Sequence, residues 1–593
     1  MGCPRWIRGC RNAGRAQRVI RQPLQFSNTS SVVWQANENH RQPYARSDRL
    51  GRTVATTSEE HVPVLIVGGG PVGLSLVIDL AWRGIACMLV ERRDGSIPLP
   101  KMNGVNARTM EFCRRWGLAD RVRNAGWPRD YPRRMQYVTD LRSPPLHVID
   151  FGSDADRKPA AMTPEHFQRC PQTWFDPILR EHAASFATNR LLYRTSLDRF
   201  EDRGDVVIAT VTDRESGRQR NIAADYLVAC DGAKSGVRET LGITMEGSPQ
   251  LSFEINVYFE CDEVFRPGER PSVMSWLFGP RGMWGTLSAI DGRSLWRLWL
   301  SQMPEDTDLE TFDGARYVRE AIGAQVPFKI VGMLPWQRQQ RVANEFRRGR
   351  VFLCGDALHN QTPTGGFGMN TGIQDAVDLA WKIQGVEDGW APERIFDSYL
   401  IERRPVAVRN VDEATFTFSK FLSVPALPAL CELGAKGDAA RAQLQRHFIQ
   451  HEFEREYKNE GIVLGYRYDD SPLCVPDETP VPPYPTMTYT PTARPGARAP
   501  HAVLTDGRST LDLFGRTFVL LRLGSNPPDA DKLARAAAKR RVPLEVVNVP
   551  EPHVLTLYEQ PLVLVRPDGH VAWRSASVPS APLSIIDTIR GAN

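Results

Sequence analysis

The stretch Val62-Pro63-Val64-Leu65-Ile66-Val67-Gly68-Gly69-Gly70-Pro71-Val72-Gly73 decides the fold. Val62 to Val67 is short, apolar and β-branched, the pattern of a parallel strand buried on both faces. Gly68 to Gly73 is a glycine turn. Leu74 to Arg83 has helical spacing, Gly84 stops it, and Ile85 to Val90 is a second strand. That makes a βαβ unit of about thirty residues. Within it Gly68, Gly70 and Gly73 form a G-x-G-x-x-G between strand and helix. Glycines there let the backbone turn tightly and approach a pyrophosphate, whose charge meets the free amides of the helix start. Glu91 follows the second strand, eighteen residues after Gly73, where a carboxylate accepts hydrogen bonds from a ribose diol. Strand, turn, helix and acid in register point to a bound dinucleotide. These residues alone leave FAD and NAD both open.

Two later segments repeat the design. Val351 to Cys354 is a buried-type strand running into Gly355-Asp356, followed by Thr362-Pro363-Thr364-Gly365-Gly366-Phe367-Gly368-Met369-Asn370 and a helix expected over 368–385. A carboxylate at a strand end can bind a polyol hydroxyl, and a helix start favours negative charge such as a reduced flavin carries. Asp225 to Cys230 is another such strand, ending in Asp231-Gly232. Each alone is also compatible with an ordinary αβ loop. Between about 245 and 345 the texture changes to alternation, as in Glu254 to Phe259 and Leu295 to Leu300, which suggests antiparallel strands. Further helices are expected over 175–188, 394–422 and 425–457. Nine prolines between 471 and 500 mark a linker or an extended wrap. Residues 501–593 alternate strand, helix, strand, hairpin and helix, with Pro567-Asp568-Gly569 as the hairpin turn.

Composition excludes several classes. With 593 residues, 41% hydrophobic and 24% charged, the chain can bury a real core. The net charge is only +5, and 64 of the 74 basic residues are Arg, a skew read as genomic and not as a nucleic-acid footprint. Ten scattered cysteines without a C-x-x-C pair imply free thiols in a reducing compartment, with no zinc site and no disulfide framework. No apolar run reaches the ~18 residues that a membrane span needs. Residues 1–61 hold ten Arg, no Lys and few acids. They are read as a disordered extension or a start placed too far upstream, with a mitochondrial transit peptide as the alternative to a cytoplasmic protein.

Taken in this order and at these separations, the glycine fingerprint, Asp231-Gly232 and Gly355-Asp356 resemble the single-component FAD-dependent aromatic hydroxylases. This is the para-hydroxybenzoate hydroxylase and phenol hydroxylase superfamily. The resemblance covers roughly 62–470. Gly465 to Pro472, Pro495 to Pro500 and Asp506 to Thr510 are similar to the phenol hydroxylase branch, whose C-terminal module is thioredoxin-like. The fold so implied is α/β. A Rossmann-like FAD-binding domain spans 62–245 and 346–470 and ends in helices, with a mostly antiparallel β-sheet substrate region inserted at 246–345. A Pro-rich linker at 471–500 leads to a thioredoxin-like domain at 501–593, which contains no cysteine and so does no thiol chemistry. It would be a structural or dimerisation appendage, which leaves room for a homodimer.

The resemblance also implies roles. Gly68, Gly70 and Gly73 would take the FAD pyrophosphate, Glu91 the adenosine ribose, and Arg92 would lie at the adenine end. Gln172 matches a cofactor-contacting glutamine, although a helix N-terminal Gln explains it nearly as well. Asp231 would serve pyrophosphate and NAD(P)H access. Gly355-Asp356 would hold the ribityl chain, and Pro363 with the Gly368, Met369 and Asn370 amides would flank the isoalloxazine. NAD(P)H would reduce the flavin, O2 would add to give a C4a-hydroperoxide, and a phenolic or other aromatic substrate would attack it. The cofactor carries the chemistry, so no catalytic side chain and no metal are assigned. In one respect the chain departs from the pattern: Asn103 stands where relatives often carry an acid, and asparagine cannot be a general base. His359 reads as a packed loop residue, and Trp276, Trp284, Trp296 and Trp299 as sheet residues that mostly pack the core. A halogenase lacks support because Trp296 and Trp299 are three apart and no Trp-x-Trp-x-Ile-Pro occurs. A plain NAD-dependent dehydrogenase would not need both later Asp motifs, and a non-catalytic FAD-bound protein is the remaining alternative.

Overall fold

The computed structural model describes residues 60–593. The reading of the N-terminal extension falls on residues 1–59, outside the described residues. The first sheet centres on the strand Glu60–Val67, flanked by Gln219–Ala229 and Cys87–Glu91, both parallel to it. Val351–Leu353 runs parallel beyond one, and Asn189–Tyr193 parallel beyond the other. An antiparallel hairpin, Thr195–Asp202 and Val207–Asp213, continues one margin. Because these core strands are parallel, the loops that follow them leave from one edge. Gly68, Glu91, Asp231 and Gly355-Asp356 therefore share that edge, the usual crevice of an open α/β sheet. The helix Pro71–Trp82 is apolar nearly all round because it lies between the helices Gly368–Glu387 and Gln172–Ala184.

The second sheet has eight strands, in the order His359–Asn360, Lys329–Ala343, Met245–Glu260, Leu295–Leu300, Gly282–Ala289, Met274–Gly279, Arg134–Val138 and His147–Asp150. Only the pairing of Met274–Gly279 with Arg134–Val138 is parallel. The sheet thus draws strands from 134–150 and 359–360 as well as from 246–345. Along Leu295–Leu300, Trp296, Leu298 and Leu300 pack with the helix Gly314–Ile322, while Arg297 and Trp299 turn to the other face. That face meets the long helix Asp397–Leu422 through Trp276, Trp299, Phe418 and Phe421. The helix expected over 425–457 is shorter: only Ala435–Gln450 is α-helical. Pro425 and Pro428 lack the amide donors that a continuous helix would need before it.

A third sheet is ordered Leu544–Val549, Phe518–Leu523, Leu562–Val565, Val571–Ser575, the first pair parallel and the others antiparallel. One of its faces packs on its own surroundings through Val519, Leu521 and Val563. The other, through Phe518, Leu520 and Leu564, is continuous with the core of the first sheet. Among the described residues no helix is long and apolar enough to cross a membrane.

Candidate functional site

The glycine turn separates what the backbone requires from what a ligand would require. Gly68 sits at φ +113°, a conformation that L side chains rarely adopt. A Cβ at Gly73 would collide with the Gly68 carbonyl oxygen, so its absence lets the helix start close on the strand. Gly70 is different. Its φ is −76°, and a Cβ there would meet nothing within 4 Å. Glu91 closes the loop by accepting from the Gly69 amide at 2.7 Å and from the Arg93 amide at 2.8 Å. Arg92 is exposed beside it.

Two aspartates stand further along the same edge. One Asp231 oxygen accepts from the Val237 amide at 3.3 Å, and the other is buried without a partner. Burial raises the Asp231 pKa, against the pull of Ser235 and the Val237 amide. Asp356 lies in the one-turn helix Gly355–Ala357, and its carboxylate accepts no hydrogen bond from any described residue. The side chain is open to solvent yet crowded by protein, as befits the floor of a cleft. That crowding raises its pKa despite nearby Lys101 and His359. Pro363 begins the turn that leads to the helix Gly368–Glu387, whose first amides, on Gly368, Met369 and Asn370, have no acceptor within the helix. The Asn370 side chain locks this start in place. Its Oδ1 accepts from the Asn106 amide at 3.0 Å, and its Nδ2 donates to the Gly366 carbonyl at 2.8 Å.

Gln172 is engaged internally. Its carbonyl accepts from the Lys101 amide at 3.2 Å, and its amide donates to Asp176 at 3.0 Å. His359 is buried with its Nε2 2.7 Å from Asp375, whose other oxygen accepts from Arg403 at 2.8 Å. Trp276, Trp296 and Trp299 are buried and Trp284 half-buried. Trp296 Nε1 donates to the Cys261 carbonyl at 3.0 Å and Trp276 Nε1 to the Tyr457 hydroxyl at 2.6 Å. Asn103 is buried, and its side-chain oxygen has no partner.

Residues that the motifs did not single out form the opposite wall. Tyr258 donates its hydroxyl to the Pro100 carbonyl at 2.8 Å, pinning the second sheet against the loop before Asn103. Glu254 and Arg338 pair at 3.2 Å in full burial, with Phe418 stacked 3.6 Å from the guanidinium. Glu456 has one buried oxygen without a partner, and burial pushes its pKa up to about 8 despite the Tyr457 hydroxyl and the Gly365 amide. Arg169, in the short strand Gln168–Arg169, and Arg297, in Leu295–Leu300, are half-buried. No short motif marks any of these residues.

An FAD binding domain family matches residues 61–414, and an aromatic-ring hydroxylase C-terminal family matches residues 492–588. The chain belongs to the FAD-dependent aromatic-ring hydroxylases. A putative polyketide hydroxylase of Streptomyces halstedii is 35% identical, covering 90% of this chain and 95% of that protein. The 2,4-dichlorophenol 6-monooxygenase of Cupriavidus pinatubonensis is 30% identical, covering 87% and 94%. Among solved structures, chromopyrrolic acid-soaked RebC with bound 7-carboxy-K252c superposes with a TM-score of 0.85 at 39% identity, over 90% of this chain and 100% of that one.

Proposed function

We propose that this FAD-dependent monooxygenase hydroxylates a phenolic or other aromatic ring, using NAD(P)H and O2, in the cleft between the parallel sheet edge and the second sheet. The observation that carries the reading is Asp356, a crowded carboxylate that accepts nothing from the protein and shares an edge with Gly70 and Asp231. The open space before Gly70 suits a pyrophosphate, and Glu91 beside it suits a ribose. Asp231 offers a free acceptor near the pyrophosphate, and Gly355-Asp356 suits the ribityl chain. Arg92 would stand at the adenine end. Pro363 and the Gly368, Met369 and Asn370 amides would lie beside the ring, where the helix end favours the anionic reduced form. When bound, the flavin accepts hydride and activates oxygen. The chain's own work is to hold the ring rigid and to exclude water from the face where substrate is oxidised. Gln172 bonds the Lys101 amide and Asp176, which holds that loop, and keeps a second N–H and lone pair for the cofactor.

The same reading assigns 62–245 and 346–470 to FAD binding, 246–345 to substrate binding and 471–500 to a linker. Residues 501–593 form a thioredoxin-like module in which no cysteine is present. It serves packing or a homodimer contact. The eight described cysteines are free, in keeping with a cytoplasmic enzyme. The test is Gly70→Leu. A Cβ there meets no protein atom within 4 Å, so the variant should fold and purify colourless. Stoichiometric flavin in that variant, measured by absorbance after denaturation, would remove the pyrophosphate from this loop.

A further inference from the structure

One guanidinium at the junction of the first and third sheets is left over when the acids there are matched. Arg115 ends the helix Ala107–Arg115 and lines a cavity of about 180 Å³ between that helix and the segment around Leu511 and Phe514. Arg108 and Arg114 line the same cavity, as do Glu111 and Asp512. Both acids are already taken. Glu111 pairs with Arg108 at 2.7 Å and with Arg498, and Asp512 pairs with Arg114 at 2.7 Å. The two other carboxylates near Arg115 are also spent. Asp79 accepts from Arg83 and from Trp116 Nε1, both at 2.8 Å, and Asp568 pairs with Arg566 at 2.7 Å. Among the described residues the half-buried Arg115 has no hydrogen-bond acceptor and no ion-pair partner, and its Nη1 is fully enclosed.

The charge is held in place by aromatic rings. Its guanidinium lies 5.5 Å from the Phe112 ring centroid and 5.9 Å from that of Trp82. A Cβ at Gly569 would sit 3.6 Å from Arg115 Nη2 and 3.7 Å from Arg108 Nη2, so two guanidinium ends flank one point of the cavity wall. Arg83 and Arg516 also approach the Trp82 ring, at 5.5 and 4.8 Å, and Arg516 has no partner among the described residues. Burial, reinforced by Arg83 and Arg108, holds the Arg115 pKa down to about 10 despite Asp79. Three arginines against two acids leave the lining one positive charge in excess, enough for one monoanion. Trp82, Phe112, Leu511 and Phe514 make other parts of the wall apolar. A guanidinium fork matches a carboxylate, and aromatic walls match a flat ring.

We infer that this cavity is a second ligand site, which takes an aromatic monocarboxylate with its carboxylate on Arg115 and its ring against Trp82 and Phe514. It is separate from the Gly368 helix start: the helix Ala107–Arg115 spans roughly 13 Å, and its opposite end, at Asn106, is the one bonded to Asn370. Trp82 and Arg115 come from one side of the junction and Leu511 and Phe514 from the other, so a bound acid braces the C-terminal sheet on the first. The holoenzyme is titrated by calorimetry with 4-bromobenzoate and 4-bromobenzamide, and crystals soaked in the acid locate bromine by anomalous scattering. Bromine should appear against Trp82 and Phe514. The acid should bind there about ten- to a hundredfold more tightly than the amide, the effect of a hydrogen bond to a charged group. Arg115→Met should abolish the site in both measurements while flavin content stays full, and Arg115→Lys should keep most of the affinity. The acid should also raise the unfolding temperature of the parent more than that of Arg115→Met. No bromine in this cavity, an amide that binds as well as the acid, or identical titrations of parent and Arg115→Met overturns the site. Bromine seen in the soaked crystal without binding in solution, which is binding at crystal concentration only, overturns it too.

Discussion

Two sets of buried charges in this molecule obey opposite rules. Where the third sheet meets the first, most cations are matched, although Arg115 has a buried Nη1 without a partner. Arg108 pairs with Glu111 at 2.7 Å, and Arg498 grips the same carboxylate. Lys382 meets Asp378 and Glu402 at 2.6 Å, and Arg566 meets Glu402, Asp378 and Asp568. Elsewhere, Arg169 and Arg297 have no such partners among the described residues, and the Asp356 carboxylate, open to solvent, accepts no hydrogen bond from any of them. The same residue types therefore carry different information. A closed network explains itself by packing, whereas an unpaired charge in a crowded site calls for something outside the chain, or else for loss of the charge, as at Glu456.

The contrast breaks first, if it is wrong, at Arg566. Arg566→Met leaves Glu402, Asp378 and Asp568 short of a buried counter-charge and should cost roughly 3–5 kcal/mol. Arg169→Gln relieves a repulsion and should change stability by less than about 1 kcal/mol, the range of an ordinary substitution. Urea midpoints for both variants decide it; an Arg169 loss as large as the Arg566 loss would erase the distinction. Next in size is Asp356→Ala, which removes an acceptor worth about 1.5–3 kcal/mol and should weaken FAD binding roughly ten- to a hundredfold. At saturating FAD the variant should also release more hydrogen peroxide per NAD(P)H oxidised. Unchanged affinity and coupling would make Asp356 an ordinary loop acid.

The smallest effects are in pH dependence, and their signs oppose. Burial alone would raise the Glu402 pKa, but Arg566 and Lys382 hold it down to about 2 from the usual 4.5. Its stabilisation is present above pH 4.5 and is lost as pH falls toward 2. Glu456 is raised to about 8, so the folded form keeps a proton that the unfolded chain releases above 4.5. Its contribution is full below that value and drains away as pH rises to 8. Glu456→Gln should flatten the decline in stability between pH 5 and 8. Thermal melts across that range would show parallel curves for variant and parent if Glu456 were ionised throughout.

The sequence made the parallel-sheet edge legible because its signals are local. Gly68 needs its positive φ and Gly73 its close approach whatever the rest of the chain does. The strand ends at Asp231 and Asp356 follow from short apolar runs stopping at an acid. The pattern also marks Gln172, whose side chain accepts from the Lys101 amide and donates to Asp176. Arg169 and Arg297 were illegible for another reason. In a chain with 64 arginines one more carries no signal, and that these two lack an ion-pair partner among the described residues is a property only the folded chain has. Glu456 is the same case with the opposite charge.

The shared core has a consequence for synthesis. Phe518 packs edge-on to Trp381 and Trp390, at 6.0 and 5.7 Å between ring centroids, and Arg83 donates to the Gly515 carbonyl at 3.0 Å. Residues near the end of the chain thus complete the hydrophobic interior begun by its first strand. While the ribosome is still translating, Trp381, Trp390 and Leu520's future neighbours are bare. A chain that stops just after Cys474 would leave this surface open to water and to chaperones.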